Sequence, residues 1–198
     1  MTLNEVHLQI ASRFGMSAFD ANSIPSETEV ENWIRDGERE VLRRCPGEAL
    51  GAYYVASELT LSNNSYAAFT DDIIRVEPFG IFNDNGTKYA ARVVTTGEWT
   101  VLSEIGSSGL NDYILYLDYA NSRVYCYPAG QSGTDKINLI YVKDIDYSSA
   151  SYLLPDNTLN TVMDYASMMI ALSRDDAVGT AQKYQVLFNL GIQSLGGR

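Results

Sequence analysis

Ile24–Pro46, IPSETEVENWIRDGEREVLRRCP, is the stretch on which the reading of this chain turns. Ser26 can accept the amide of Glu29 while the Glu29 carboxylate reaches back to the Ser26 amide, the reciprocal arrangement that starts helices. Ile24 stands before the cap and Val30 one turn inside it, close to the spacing at which two apolar residues staple a helix entry. Val30, Trp33, Ile34, Gly37, Val41 and Leu42 then recur on one face, and Pro46 stops the run. The opposite face is acidic first (Glu27, Glu29, Glu31) and basic last (Arg39, Arg43, Arg44), which suits the helix dipole. Glu31/Arg35 and Glu40/Arg44 sit at pairing spacing, so the charge run reads as a solvated face. A single helix cannot bury so broad an apolar stripe by itself. It needs helical partners.

Those partners lie at the two ends of the chain. Leu3, Val6, Ile10 and Phe14 recur at helical spacing and Gly15 ends the run, which predicts a helix over about Asn4–Phe14, followed by a connector, Met16–Ser23. Near the other end, Asp156 or Asn157 can cap a helix with Leu159, Val162, Met163, Ala166 and Ile170 on one side. Asp175 or Asp176 can cap another, with Ala181, Tyr184, Leu187, Phe188, Gly191 and Leu195 facing inward. The Met168-Met169 pair reads as core filling. Between these helices the period changes to two. Tyr54–Leu61, Asp72–Phe79, Lys88–Thr95, Trp99–Ile105, Tyr113–Tyr119, Arg123–Tyr127 and Lys136–Lys143 read as strands, with Asn83-Asp84-Asn85-Gly86 as a hairpin turn. The expectation is an α+β fold. N- and C-terminal helices form one bundle, and a large antiparallel β-rich insertion, a sandwich or small barrel without parallel crossovers, interrupts it. The boundaries read as 1–50 for the N-terminal helices, 51–152 for the insertion and 153–198 for the closing helical hairpin.

Composition bounds the function. Of 198 residues, 45% are apolar and 20% charged, enough to build a core, and no run approaches the ~18 apolar residues of a membrane span. The start, Met1-Thr2-Leu3-Asn4-Glu5, has no basic region followed by an apolar one, so a soluble protein made in the cytoplasm is expected. Cys45 and Cys126 are too few for a disulfide framework or a thiolate metal site. The net charge is −11: residues 1–46 hold 8 acids and 5 bases, 47–155 hold 13 and 6, and 156–198 hold 4 and 3. No segment has the basic excess that grips nucleic acid. An acidic wall past which DNA slides without sticking is compatible with this balance.

The search for chemistry is mostly negative. His7 is the sole histidine, and no serine or cysteine stands in an elbow setting, so a triad has no support. Neither Gly106-Ser107-Ser108-Gly109 nor Gly130–Gly133 leads into a helix as a phosphate loop must. Asp71-Asp72, Asp144/Asp146 and Asp175-Asp176 could hold calcium or act as acid and base, but adjacent acids at element ends read as caps and turns. The 14 tyrosines invite a sugar-stacking reading, yet Tyr113, Leu115, Leu117 and Tyr119 alternate as packed strands do. No catalytic, metal or cofactor site is predicted.

Several short motifs taken together resemble the head-to-tail adaptor proteins of tailed bacteriophages, including the tail-tube gatekeepers of short-tailed phages. They are Glu31-Asn32-Trp33-Ile34-Arg35 running to Arg44-Cys45-Pro46, Val124-Tyr125-Cys126-Tyr127-Pro128, Leu139-Ile140-Tyr141-Val142, Leu153-Leu154-Pro155-Asp156, and Ala181-Gln182-Lys183-Tyr184 with Phe188 in the last helix. The resemblance implies a non-enzymatic virion protein of the neck, assembled in the host cytoplasm. About twelve copies would form a closed ring under the portal protein, extending the DNA channel and presenting a platform to a tail hub, nozzle or stopper. It further implies that the C-terminal segment, Leu190, Gly191, Ile192, Leu195, Gly196, Gly197 and Arg198, docks on the portal. The bundle core is expected from Val30, Trp33, Ile34, Val41, Leu159, Val162, Met163, Tyr184 and Phe188, with Trp33 facing the C-terminal helices. Candidate channel-wall residues are Asp71, Asp72, Glu98, Glu104 and Asp112. A neck stopper or tail-completion protein is the nearest alternative; a carbohydrate-binding or hydrolytic β-sandwich is the alternative of another class.

Overall fold

The computed structural model describes residues 1–105, 113–148, 151–174 and 178–196. The helices are α1 (Leu3–Arg13), α2 (Glu27–Arg44), α3 (Thr96–Ile105), α4 (Leu159–Ser173) and α5 (Val178–Ser194). The strands are β1 (Tyr54–Thr60), β2 (Tyr66–Ala68), β3 (Ile73–Val76), β4 (Phe79–Asp84), β5 (Thr87–Val94), β6 (Tyr113–Asp118), β7 (Arg123–Tyr127) and β8 (Lys136–Lys143). The fold is α+β, and the chain divides into two units: Met1–Tyr53 with Asp144–Arg198, and Tyr54–Lys143.

The first unit is a helical bundle made from both ends of the chain. Both of its first two helices start with a capping box. Thr2 Oγ accepts from Glu5 N at 3.3 Å and Ser26 Oγ from Glu29 N at 3.4 Å, while each glutamate accepts its cap residue's amide at 2.8 Å. Ile24, the expected staple, is 77% exposed, so Val30 packs without it. Val6, Ile10, Val30, Ile34, Val41, Val162, Ala166 and Ile170 are fully excluded from water. Met163, Tyr184, Phe188 and Ile192 are buried with them. Trp33 and Leu159 are half-buried rather than central. On α2 the buried residues run Val30, Ile34, Arg35, Gly37, Glu38, Val41 and Leu42, and this stripe spreads toward Arg35, Glu38 and Leu42, which leaves Trp33 on its far edge. Leu187, read as inward-facing, is 38% exposed; Ile192 takes that place in the core. A Cβ on Gly37 would stand 3.2 Å from Val162, so α2 and α4 approach closely there. Asp156 does not cap α4: Asp156–Thr158 form a single 3-10 turn that leads into it, and no side chain caps Thr158.

The charged face of α2 is not simply solvated. Arg35 Nη1 donates to Glu38 Oε2 at 2.8 Å, and Glu38 is wholly buried. Glu38 Oε1 accepts the Leu153 amide at 3.1 Å, while Arg35 also reaches the Ser151 carbonyl at 3.2 Å. Arg39 lies 4.4 Å from the centre of the Tyr147 ring, and Tyr147 donates to Asp144. These contacts strap the strand-to-helix segment of this unit onto α2. The pairs are therefore Arg35/Glu38 and Glu40/Arg43, not Glu31/Arg35 and Glu40/Arg44; Arg44 bonds Asn189 on α5 at 2.9 Å.

The second unit is one mixed eight-stranded sheet, ordered β1-β8-β4-β5-β6-β7-β2, with β3 also paired to β8. The sheet curls until its end strands approach, nearly closing a barrel, and Ser62 donates to the Tyr66 carbonyl at 2.9 Å between them. Leu61, Phe82, Leu115, Val124, Cys126, Ile137 and Leu139 fill its core. Three expectations fail here. Trp99–Ile105 is not a strand but the body of α3, and β5 and β6 run parallel, with α3 as their crossover. The cause is local: Thr95 and Glu98 form a third capping box, with Thr95 N donating to Glu98 at 3.0 Å and Glu98 N to Thr95 Oγ at 3.4 Å. The single strand expected at Asp72–Phe79 is split at Pro78, which has no N–H to give a ladder, into β3 and β4. The Asn83–Gly86 hairpin forms as read, with Asn85 at φ 44° and Gly86 at φ 96°, the positive angles of a type I′ turn.

Candidate assembly surfaces

Three places could carry assembly: the outer face of α5 with the chain end, the loop before α2, and the acids of the sheet unit. On α5 the inward positions are Ala181, Tyr184, Phe188 and Ile192, spaced to face α4. A Cβ on Gly191 would lie 2.4 Å from Thr161 Oγ1, so glycine is what lets α5 close on α4 there. The opposite face leaves Val186 57% and Leu190 54% exposed. The expected docking segment is thus divided. Leu190 is in solvent, Gly191 and Ile192 belong to the bundle packing, Leu195 is half-buried, and Gly196 ends the helix at φ 89°; Gly197 and Arg198 lie outside the described residues. Gly191 and Ile192 are held because deleting either contact would open the α4–α5 seam, so they do not offer a free surface.

The wall candidates do not form one cluster. Asp71 is half-buried and accepts the Tyr141 hydroxyl, whose pKa is raised to about 12, first by burial and then by that carboxylate. Asp72 is exposed beside it. Glu98 sits on the first turn of α3, where the Thr95 amide, Arg92 at 2.9 Å and the Thr95 hydroxyl hold its carboxyl down at about 2. It is a cap as well as a surface charge. Glu104 lies on α3, and Asp112 lies outside the described residues. Three cations of this unit stand against acids: Lys136 against Glu58, Arg92 against Glu98 and Arg75 against Glu77.

The groups that could suggest chemistry have structural surroundings. His7 is buried, burial lowers its pKa, Nδ1 stands 3.8 Å from Glu27, and Nε2 meets no partner among the described residues. Cys45 and Cys126 are buried, and burial pushes the Cys126 thiol up to about 11, far from a reactive thiolate. Trp99 stacks on Tyr116 at 5.4 Å and 16°, and Tyr125 leans on both Tyr116 and Tyr66, so these rings cover one another's faces rather than present them to a sugar. No group of three or more His, Cys, Asp or Glu able to hold a metal ion occurs among the described residues.

Sequence reasoning missed the most deeply buried charge, Glu38, and the hub of the barrel loops, Asp135. Asp135 accepts from Asn85 N at 3.1 Å and Gln131 N at 2.6 Å. Both stand in phase with the core, Glu38 four after Ile34 and Asp135 two before Ile137, but a charge at such a position does not announce burial. The third capping box was legible, as Thr95-Thr96-Gly97-Glu98 repeats the pattern of Ser26–Glu29.

Val186 and Leu190 stand exposed on one helix face of a bundle that both ends of the chain close. The family model described as SU10 adaptor protein matches residues 1–198. The chain belongs to that family of bacteriophage adaptors, and its resemblance to head-to-tail adaptors holds along the whole chain. No curated protein matches it. No helix among the described residues is long and apolar enough to cross a membrane.

Proposed function

We propose that this chain is a non-enzymatic head-to-tail adaptor of the virion neck, assembling in the host cytoplasm as a ring of about twelve copies under the portal protein. The helical unit, Met1–Tyr53 with Asp144–Arg198, forms the assembling body, and Tyr54–Lys143 are an inserted domain. The ring extends the DNA channel and offers a platform to a tail hub, nozzle or stopper. The observation that carries this reading is the match to the adaptor family over residues 1–198. Docking on the portal falls to Leu190 and Leu195–Arg198, because Gly191 and Ile192 are engaged in the bundle. DNA passes without stable contact: the net charge is −11, and like-charge repulsion keeps a polyanion off the wall.

Light scattering and electron microscopy test this. The chain mixed with portal complexes is expected to form a ring stacked on the portal. A chain that stays monomeric beside the portal and instead binds or cleaves glycans would overturn the reading. Duplex DNA binding at low ionic strength is expected to be weak; salt-sensitive sub-micromolar binding would point to a gate that holds DNA.

A further inference from the structure

Two exposed patches of the helical unit differ in sign. At the start of α2, Ile24 stands 77% exposed beside Asp20, Glu27 and Glu29. At its other end, Arg44 lies against Asn189 and over the Phe188 ring at 5.1 Å, which places the exposed Leu190 beside a basic surface. Val186 and Lys183 continue that surface along α5. The charge order is the one that suits the α2 dipole, so it has a reason within the helix. The exposed apolar residue at each end has none. Ile24 makes no staple and Leu190 faces away from the core.

We infer that the Ile24 loop of one copy seats on the Leu190 face of α5 in the next copy, with the acidic start of α2 against the basic end of its neighbour. The occupant is set by charge. Two like patches brought together by a two-fold axis would oppose acid to acid or base to base, whereas a head-to-tail contact matches opposite signs. A two-fold contact that paired each acidic patch with the other copy's basic patch would stop at dimers, whereas the one-way contact is heterologous, and heterologous contacts that close make rings. This inference rests on the ring reading given above and names the surfaces that make the ring.

Geometry supplies a clean test. α2 spans Glu27–Arg44, so its 18 residues hold its ends about 27 Å apart. Ile24 precedes one end, and Leu190 follows the residue that Arg44 bonds at the other. A disulfide needs Cα atoms within about 7 Å, so cysteines at these positions can join only between copies. Cys45 and Cys126 are buried and will not compete. The double variant Ile24→Cys/Leu190→Cys, oxidised in portal-bound rings, is expected to give a ladder of covalent multimers, while each single variant gives none beyond dimers. Ile24→Asn is expected to lower ring formation on the portal at least tenfold with an unchanged thermal melt, because the residue is 77% exposed within its own copy. Rings that form normally yet yield no ladder, or that form equally well with Ile24→Asn, would overturn these surfaces and leave the adaptor reading standing. An unmodified chain that forms no ring on the portal would overturn the adaptor reading and this inference with it.

Discussion

The helical unit and the sheet unit each bury a carboxylate, and they hold it differently. In the helical unit Glu38 is held by a guanidinium from its own helix and by an amide 115 residues away, Leu153. In the sheet unit Asp135 is held by the backbone amides of two turns, Asn85 and Gln131. The first is an ion pair withdrawn from water, which desolvation makes costly to break from one side. Burial raises the Glu38 pKa while Arg35 and the Leu153 amide pull it down. The second is a carboxylate satisfied by fixed dipoles, which pins loops without a counter-charge. The bundle is thus fastened across the chain, between segments that the insertion separates, and the barrel is fastened turn to turn.

The comparison can be broken at its strongest point first. Glu38→Ala should cost about 3–5 kcal/mol in denaturant unfolding, because it removes the counter-charge of the buried Arg35. Hydrogen exchange at the Leu153 amide should rise in the same variant, and an unchanged midpoint would show that water already reaches the pair. Asp135→Ala should cost less, about 1–3 kcal/mol, since it orphans amides at a loop end where solvent can enter. Its effect should be confined to exchange at Asn85 and Gln131. Trp33→Ala is expected to lower stability by about 1–2 kcal/mol, in keeping with a half-buried indole; a loss of ~4 kcal/mol would put Trp33 in the core after all.

The smallest effect tests the crossover helix. Thr95→Ala removes one half of the α3 cap and should cost about 1 kcal/mol. The other half depends on pH. The Glu98 carboxyl is lowered from 4.5 to about 2, so the stability it lends is present above its unfolded value and is lost as pH falls through about 2. Amide protection in Thr96–Ile105, taken relative to the intrinsic exchange rate at each pH from 5 to 2, should fall only toward the acid end in the native chain. In Thr95→Ala it should be lower throughout.

Much of the fold was legible because the signals agreed with one another. α2 combines a capping box, an apolar stripe and a closing proline, and Lys136–Lys143 alternates strictly enough that Ile137, Leu139 and Tyr141 point inward. α3 was misread because Trp99, Val101 and Ile105 fit a period of two over a short window as well as they fit a helix turn. The parallel pairing of β5 and β6 followed from that error, since only a crossover element permits it. Trp33 was misplaced for a different reason: size suggested the centre of the stripe, while the wheel angle puts it at the edge. Of the assembly surfaces, the exposed face of α5 could not be read from pattern, because Val186, Leu187 and Leu190 look like the core residues that alternate with them.

The order of the elements along the chain sets an order of synthesis. α1 and α2 leave the ribosome first, but their core partners on α4 and α5 follow only after Tyr54–Lys143. At about 5–20 residues per second, that interval lasts on the order of 5–20 s. During it the sheet unit, continuous in sequence, can fold, while Val30, Ile34 and Val41 wait without cover. A nascent chain stalled before Leu159 should therefore recruit holding chaperones through the α2 stripe, and release them once α5 has emerged.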